Sequence, residues 1–271
     1  MSAVKQIICI KWGTKFGPHY VNRLRGMISR NITPPFRLIC FTDDGAGLHP
    51  DVVVRPLPRF DYEPPKNTLG KWPKSRLWGD LGDITGTVLF LDLDVIVTGN
   101  LDDFFTYADP GDTVLATNPQ SVKPFEKLGQ TSVYRMQVGK LAPLQDIFRA
   151  DPQGVADEYR FEQRFVTRRA PGGVKFWPKG WVVHFRAHCV PPVPMRYWQT
   201  PRIPKGAKIV IFAGSLNPPD AIAGRWSEDD PVRSPAEHLR AAFDGSRRES
   251  LPRHLRHYIR PTPWVEELWR D

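Results

Sequence analysis

The run 87–97, TVLFLDLDVIV, constrains this chain more than any other segment. Val, Ile, Leu and Phe fill it, the composition of a strand buried on both faces. Two aspartates, Asp92 and Asp94, break it. A carboxylate taken out of water is costly unless it is hydrated, paired or bound to a cation. At the carboxyl end of a strand, two acids at i and i+2 can meet one divalent ion. Mg²⁺ and Mn²⁺ prefer such hard oxygen ligands, and diphosphate oxygens can fill their remaining positions. The same two aspartates at a strand-to-loop switch can instead cap neighbouring backbone N–H groups, and the triplet alone does not separate the two readings.

The flanking sequence supplies the context of that strand. Residues 6–10 (QIICI), 36–42 (FRLICFT) and 52–57 (VVVRPL) read as short buried strands. Residues 19–30 carry Tyr20, Val21, Leu24, Met27 and Ile28 at helical spacing. A proline-rich loop with Pro58, Pro64, Pro65 and Pro73 leads to a short helix over 74–83. Later strands are expected at 112–117, 132–138, 181–185 and 208–213, and helices at 141–149 and 156–169. Strands alternating with helices imply βαβ units, an α/β class and a mostly parallel central sheet flanked by helices. Such sheets bind ligands beyond the carboxyl ends of their strands.

Length and charge narrow the function. The chain has 271 residues and 41% hydrophobic content, enough for one large domain with a substantial core. No apolar run reaches the length of a membrane span. The start, MSAVKQIICIKWG, is too short in apolar residues for a secretory leader. Cys9, Cys40 and Cys189 are odd in number, far apart and in apolar contexts, so a reducing, cytoplasmic setting is expected. The net charge of +9 is uneven: residues 1–60 carry +6, 61–120 carry −6, 121–224 carry +9 and 225–271 carry zero. Basic flanks around an acidic block suit a cleft that takes a phosphorylated ligand, and the acidic block opposes a nucleic-acid surface. Residues 225–271 read as a charged extension docked on a 1–224 domain through Trp264, Leu268 and Trp269. Within it, 247–260 holds five arginines against Glu249, which makes a peripheral contact with an anionic membrane face one reading and a solvated tail the other.

The block KWPKSRLWGDLGDITGTVLFLDLDVIVTGNLDDFF at 71–105 resembles the nucleotide-sugar glycosyltransferases of the GT-A (Rossmann-like) fold, in particular glycosyltransferase family 8, the glycogenin and lipopolysaccharide galactosyltransferase group. Lys74 and Arg76 match its basic segment, Asp92 and Asp94 its D-x-D motif, and Asn100-Leu101-Asp102-Asp103-Phe104 the segment that follows. The likeness is specific over 74–105 and looser over 6–218. It implies a retaining transfer of a sugar from a nucleotide diphosphate donor, most simply UDP-linked, to a glycan, lipid-linked glycan or other hydroxyl acceptor. Asp92 and Asp94 would hold Mn²⁺ or Mg²⁺, with Asp94 also counted as catalytic. Lys11, Trp12, Gly13, Thr14 and Tyr20 would hold the base and ribose, with Phe16 the other aromatic that could stack on the base. The Leu93 backbone would lie on the ribose, Lys74 and Arg76 near the phosphates, and Thr131 and Ser132 near the donor sugar. Gln163, in the pair Glu162-Gln163, would lie beneath the anomeric carbon. Trp177 and Trp181 would either stack on sugar faces or fill core.

The departure lies at 209–218, IVIFAGSLNPP. The family pattern has a His on or after this strand, then Gly, then Lys before Pro. Gly214, a donor-site residue on this reading, and Pro218 are kept, but Ile211 and Ala213 are not His and Asn217 stands at the Lys place. Either His184, His188 or a nearby Arg substitutes, or the chain is a weakened member that binds nucleotide sugars or glycans. A haloacid-dehalogenase-like phosphatase is a further alternative, since its D-x-D also ends an apolar strand. That motif normally opens its fold, however, whereas about ninety residues precede it here. A nucleotidyltransferase would need a Gly-rich basic signature after the first strand, which Lys11-Trp12-Gly13-Thr14-Lys15 meets poorly.

Overall fold

The run 87–97 does not form one strand. In the computed structural model it splits into β4 (Thr87–Leu91) and β5 (Val95–Val97), with Asp92-Leu93-Asp94 between them. The two strands enter different sheets. The structure describes residues 4–66, 68, 72–119, 126–245, 247 and 249–271, so Lys71 and Arg248 lie outside the described residues. It divides into two compact units, Met1–Leu93 with Asn100–Lys179, and Asp94–Gly99 with Gly180–Asp271.

The first unit opens with β1 (Lys5–Lys11), α1 (Pro18–Asn31), β2 (Phe36–Thr42) and β3 (Val52–Pro56). Pro18 sets the first helical φ of α1. The helix buries Tyr20, Val21, Leu24, Met27 and Ile28, the stripe its spacing predicts. The chain is extended at Ile32, and Pro34-Pro35 cannot continue a helix. Residues 73–77 make a single 3₁₀ turn where a longer helix over 74–83 is expected. After β4 come α2 (Asp103–Thr106), β6 (Val114–Thr117), β7 (Gly129–Gln137), α3 (Ala142–Ala150), α4 (Pro152–Tyr159), α5 (Glu162–Arg169) and β8 (Lys175–Phe176).

The seven strands follow the order β3-β2-β1-β4-β7-β6-β8. Strands β1, β2, β3 and β4 pair in parallel, as do β6 and β8, whereas β7 runs antiparallel to β4 and β6. The expected mostly parallel α/β sheet is therefore present. Its order reverses direction between β1 and β4, the switch point where open α/β sheets leave a crevice. The core on one side gathers Ile8, Ile39, Phe90, Trp78, Phe148 and Phe165.

The helix expected at 156–169 is two. Arg160 takes φ +62 and ends α4, and Phe161 is extended before α5 restarts at Glu162. Tyr159 and Phe165 then pack edge to face across the break, 5.0 Å apart. A continuous helical period cannot signal such a break, because apolar residues persist on both sides of it. On β7, Arg135 is fully buried and donates to the carbonyls of Phe104 (3.1 Å), Tyr107 (2.5 Å) and Asp109 (2.6 Å). Those bonds make its burial tolerable without a carboxylate.

The second unit holds a small sheet, β5 with β9 (Val182–His184) and β10 (Ile209–Ile211), in the order β5-β10-β9. It also holds α6 (Pro218–Ala223), α7 (Pro235–Ala241), α8 (Leu251–Arg256) and α9 (Pro263–Leu268). Residues 225–271 thus share a unit with 94–99 and 180–224. The tail is anchored there: Trp264 Nε1 donates to the Pro201 carbonyl at 3.0 Å, and its ring lies 6.0 Å from that of Phe185. His238 and His254 stack 4.1 Å apart, each ring nitrogen against the other's carbonyl, and tie α7 to α8. No helix among the described residues is long and apolar enough to cross a membrane.

Candidate functional site

The switch point of the first unit collects the polar groups that the sequence singles out. The register Gln6↔Val88, Ile7↔Leu89 and Ile8↔Phe90 brings the carboxyl ends of β1 and β4 side by side. Asp92 leaves β4 there, its N–H donating to the Ser132 carbonyl at 2.9 Å. Its Oδ2 accepts from Lys74 Nζ at 2.9 Å. The same ammonium donates to the Thr131 carbonyl at 2.9 Å and lies 5.0 Å over the Phe90 ring. The 3₁₀ turn at 73–77 aims Lys74 inward, where about a fifth of each partner's side chain stays exposed. This is a shielded ion pair open to a ligand, stronger than a surface pair in bulk water.

A second carboxyl sits behind the first. Glu162, turned inward by the restart of α5, is 5% exposed, and its Oε2 accepts from Thr131 Oγ1 at 2.7 Å. Its Oε1 is buried with no hydrogen-bond partner among the described residues, as is Tyr134 Oη. Burial holds the Glu162 proton up to about pH 7, against the pull of Lys74 and Thr131 toward ionisation. The Tyr134 hydroxyl is pushed well up by burial and by Glu162 and Asp92. Sequence reading singles out Gln163 of the pair 162–163. The structure adds Glu162, which is buried, while Gln163 is half-buried and its carbonyl accepts from Thr167 Oγ1 at 2.6 Å. A glutamate on an amphipathic helix gives no sign of facing inward, so only the break at Arg160 reveals it.

The other expected donor residues of this unit scatter around the same end of the sheet. Lys11 is buried at the end of β1 and donates to the Asp44 carbonyl at 3.1 Å. Gly13 takes φ +60, and its N–H donates to Asp43 Oδ2 at 2.8 Å, which holds the Asp43 carboxyl low. Trp12 and Thr14 are exposed. Tyr20 is buried in α1 with its ring 4.7 Å from that of Phe16. Leu93 is buried. Thr131 and Ser132 are buried on β7, and the Ser132 N–H donates to Gln130 Oε1 at 3.1 Å. Arg76 turns elsewhere: its guanidinium lies 3.7 Å over the Phe60 ring and donates to the Pro58 carbonyl at 3.3 Å. Trp177 fills core, edge to face with Phe104 at 4.7 Å, with Nε1 donating to the Val133 carbonyl.

Asp94 and Gly214 belong to the second unit. The Asp94 carbonyl accepts from the Phe212 N–H at 3.2 Å. His184 stands opposite Ile211 in the β9–β10 register, where the sequence lacks the family's histidine. It is buried, its Nε2 has no hydrogen-bond partner among the described residues, and burial beside His188 pushes it down to about 4. His188 Nδ1 accepts from the His184 N–H at 2.9 Å, a local turn contact. Trp181 is covered by Lys208, whose ammonium lies 4.5 Å from its ring centre. Gly214 takes φ +81, and a Cβ there would lie 3.1 Å from Arg186 Nη1.

A divalent cation needs a cluster of hard or imidazole donors. Among the described residues no three His, Cys, Asp or Glu side chains gather to hold one. The Asp92 carboxylate is already neutralised by Lys74.

No protein-family model matches the sequence, and no curated protein matches it. Solved structures do match. The galactosyltransferase LgtC, in complex with donor and acceptor sugar analogues, aligns over 90% of this chain and 97% of its own, with a TM-score of 0.54 at 14% identity. The glycosyltransferase GlyE of Streptococcus pneumoniae TIGR4 aligns over 98% of this chain and 65% of its own, with a TM-score of 0.54 at 10% identity. The bifunctional glycosyltransferase WbbM aligns over 80% of this chain and 47% of its own, with a TM-score of 0.53 at 12% identity. The chain therefore has the GT-A fold that these glycosyltransferases share.

Proposed function

We propose that this chain is a retaining glycosyltransferase that moves a sugar from a nucleotide diphosphate, most simply UDP, to a hydroxyl of a glycan or lipid-linked glycan. One observation carries the reading: on a GT-A sheet, Lys74 and Asp92 meet at the switch point where β1 and β4 end. In the reaction the acceptor oxygen bonds to the anomeric carbon as the carbon–phosphate oxygen bond breaks. The acceptor's proton passes to the departing diphosphate, so no dedicated carboxylate base is needed. Negative charge develops on that diphosphate, and a pre-positioned cation stabilises it more in the transition state than in the ground state. Lys74 is that cation in the first unit, its ammonium fixed by Asp92 and the Thr131 carbonyl. Glu162, whose proton burial holds up to about pH 7, lies behind the Lys74–Asp92 pair through Thr131, and Gln163 supports the sugar without titrating.

The test pairs turnover with binding. Purified protein is assayed for UDP release from a panel of UDP-sugars, and its melting temperature is followed with nucleotides and nucleotide sugars, with and without Mn²⁺. Release that vanishes in Asp92→Asn and Asp94→Asn supports the reading. Absence of both release and any nucleotide shift sinks it. A nucleotide-sugar shift without release favours the weakened, binding-only member, which Ile211 and Asn217 motivate. The phosphatase alternative finds no support in the topology, because β4 is the fourth strand of its sheet's chain order and not the first.

A further inference from the structure

The second unit contains a polar cavity of about 240 Å³ lined by Arg186, Ser215, Trp226, Arg253, His257 and Glu249, with Ser227 and Asp230 at its wall. That volume lies below the ~300–1,000 Å³ of pockets that enclose a whole drug-sized ligand, so it suits one charged group. Its distinguishing side chain is Arg186. The guanidinium stacks 4.7 Å from the centre of the Trp226 ring, whose other contact is the His257 ring, nearly parallel at 4.6 Å. Nη2 donates to Ser215 Oγ at 3.1 Å. Nε is buried with no hydrogen-bond partner, and no carboxylate lies within ion-pair distance of the group among the described residues. Asp220, an acid whose charge acts on it, is held by Arg225 at 2.8 Å.

The acids of the cavity wall are already engaged. Glu249 takes Arg253 at 2.5 Å and His257 Nδ1 at 2.7 Å, and Asp230 accepts from Ser227 Oγ at 2.7 Å. Arg186 thus keeps a fork of donors and a full charge with one hydroxyl as partner. A tryptophan face holds it in place, and Gly214 leaves room beside it. Pre-positioned planar guanidinium groups match phosphate oxygens two at a time.

We propose that this cavity is a phosphate-binding site, with Arg186 as its anchor and Ser215 as its second donor. The source of the phosphate is either the diphosphate of the nucleotide donor or a separate phosphorylated ligand. The site stands on the second unit alone, so it does not depend on sugar transfer being the reaction.

Isothermal titration with inorganic diphosphate, on the full chain, tests it. The wild type should bind, and Arg186→Ala should weaken binding by about ten- to a hundredfold, the loss expected for a charged hydrogen bond. Arg186→Lys, which keeps the charge, should recover part of that loss and guards against a folding artefact. Competition then separates the sources: displacement by UDP assigns the donor's diphosphate, and simultaneous binding assigns a second phosphorylated ligand. Either result supports the site. No diphosphate binding by the folded wild type, or equal binding by wild type and Arg186→Ala, overturns it. Failure of UDP-sugar turnover with Arg186-dependent diphosphate binding intact would refute the transfer reading and leave the site standing.

Discussion

Lys74 and Arg186 each bring a positive charge to a polar pocket, and the two units treat that charge differently. Lys74 is a compact ammonium held within 2.9 Å of the Asp92 carboxylate, at the end of a seven-stranded sheet. Arg186 is a planar group stacked on Trp226, with a serine hydroxyl as its hydrogen-bond partner. The lysine shares its charge with Asp92 before any ligand arrives, and what that pairing gives a departing diphosphate is an ammonium fixed in position. The arginine's charge is not neutralised, and an aromatic face supplies the rigidity that a carboxylate supplies to Lys74. A cation's availability therefore depends on what fixes it as much as on its exposure.

The contrast breaks first at Lys74. Removing either member of its pair, by Lys74→Ala or Asp92→Asn, should lower UDP release by about 10²–10³-fold, the scale of losing one pre-positioned electrostatic group. A loss under threefold in both variants would end the assignment of the pair to the site.

Glu162 is the next lever. Its folded-state proton is held to about pH 7, whereas an unfolded glutamate releases it near 4.5. Between those values the folded chain binds the extra proton, so stability falls as pH rises through the window. Above pH 7 the buried carboxylate costs on the order of 3 kcal/mol. Glu162→Gln should therefore raise the melting temperature by several degrees at pH 8 and not at pH 4. An equal shift at both pH values would show that the carboxyl does not titrate as described.

At Arg186 the lysine exchange measures the fork. Arg186→Lys should bind diphosphate roughly tenfold more weakly than wild type by titration calorimetry, since an ammonium keeps the charge but loses the paired donors. Wild-type affinity would mean that charge alone matters at Arg186 and that the paired donors do not.

His184 gives a smaller, acid-side effect. Its folded pKa is near 4, below the unfolded value of 6.5, so the unfolded chain binds more protons between these values. Stability should rise with pH from about 4 to 6.5 and level off above. His238, also pushed down to about 4, contributes in the same direction. His184→Phe should flatten part of that slope in melting curves across the window; an unchanged slope would place the titration elsewhere. Finally, Mn²⁺ without nucleotide should leave the wild-type melting temperature unchanged, because Lys74 already neutralises Asp92. A specific Mn²⁺ shift would support the reading of Asp92 and Asp94 as a metal pair.

Much of the first unit was legible from local pattern. Strand β2 falls on the expected residues 36–42, and α1 buries the five apolar residues its spacing marks. Such segments declare themselves because a period of two or of 3.6 residues is written in the side chains that must be buried. Breaks were less legible. The split of 87–97 arises where hydrogen bonds are exchanged with distant partners, Ser132 for Asp92 and Phe212 for Asp94, and the positive φ at Arg160 interrupts a helix whose apolar period continues past it. Of the residues singled out for the site, Asp92, Lys74 and Thr131 lie together, whereas Arg76 turns to Phe60. Trp177, offered as a sugar platform or core, is core.

The sequence by itself determined the α/β class, the buried strand that leads into Asp92 and the acidic block between basic flanks. Those follow from burial periodicity and from the cost of burying charge, which act residue by residue. Tertiary structure alone decided that Glu162 faces inward and that Asp92 and Asp94 belong to different units. It also decided that Arg186 rests on Trp226, forty residues away in sequence, without a counter-charge. Each of these depends on which distant partner meets a given donor, acceptor or ring in the folded chain, and no local window of sequence contains that partner.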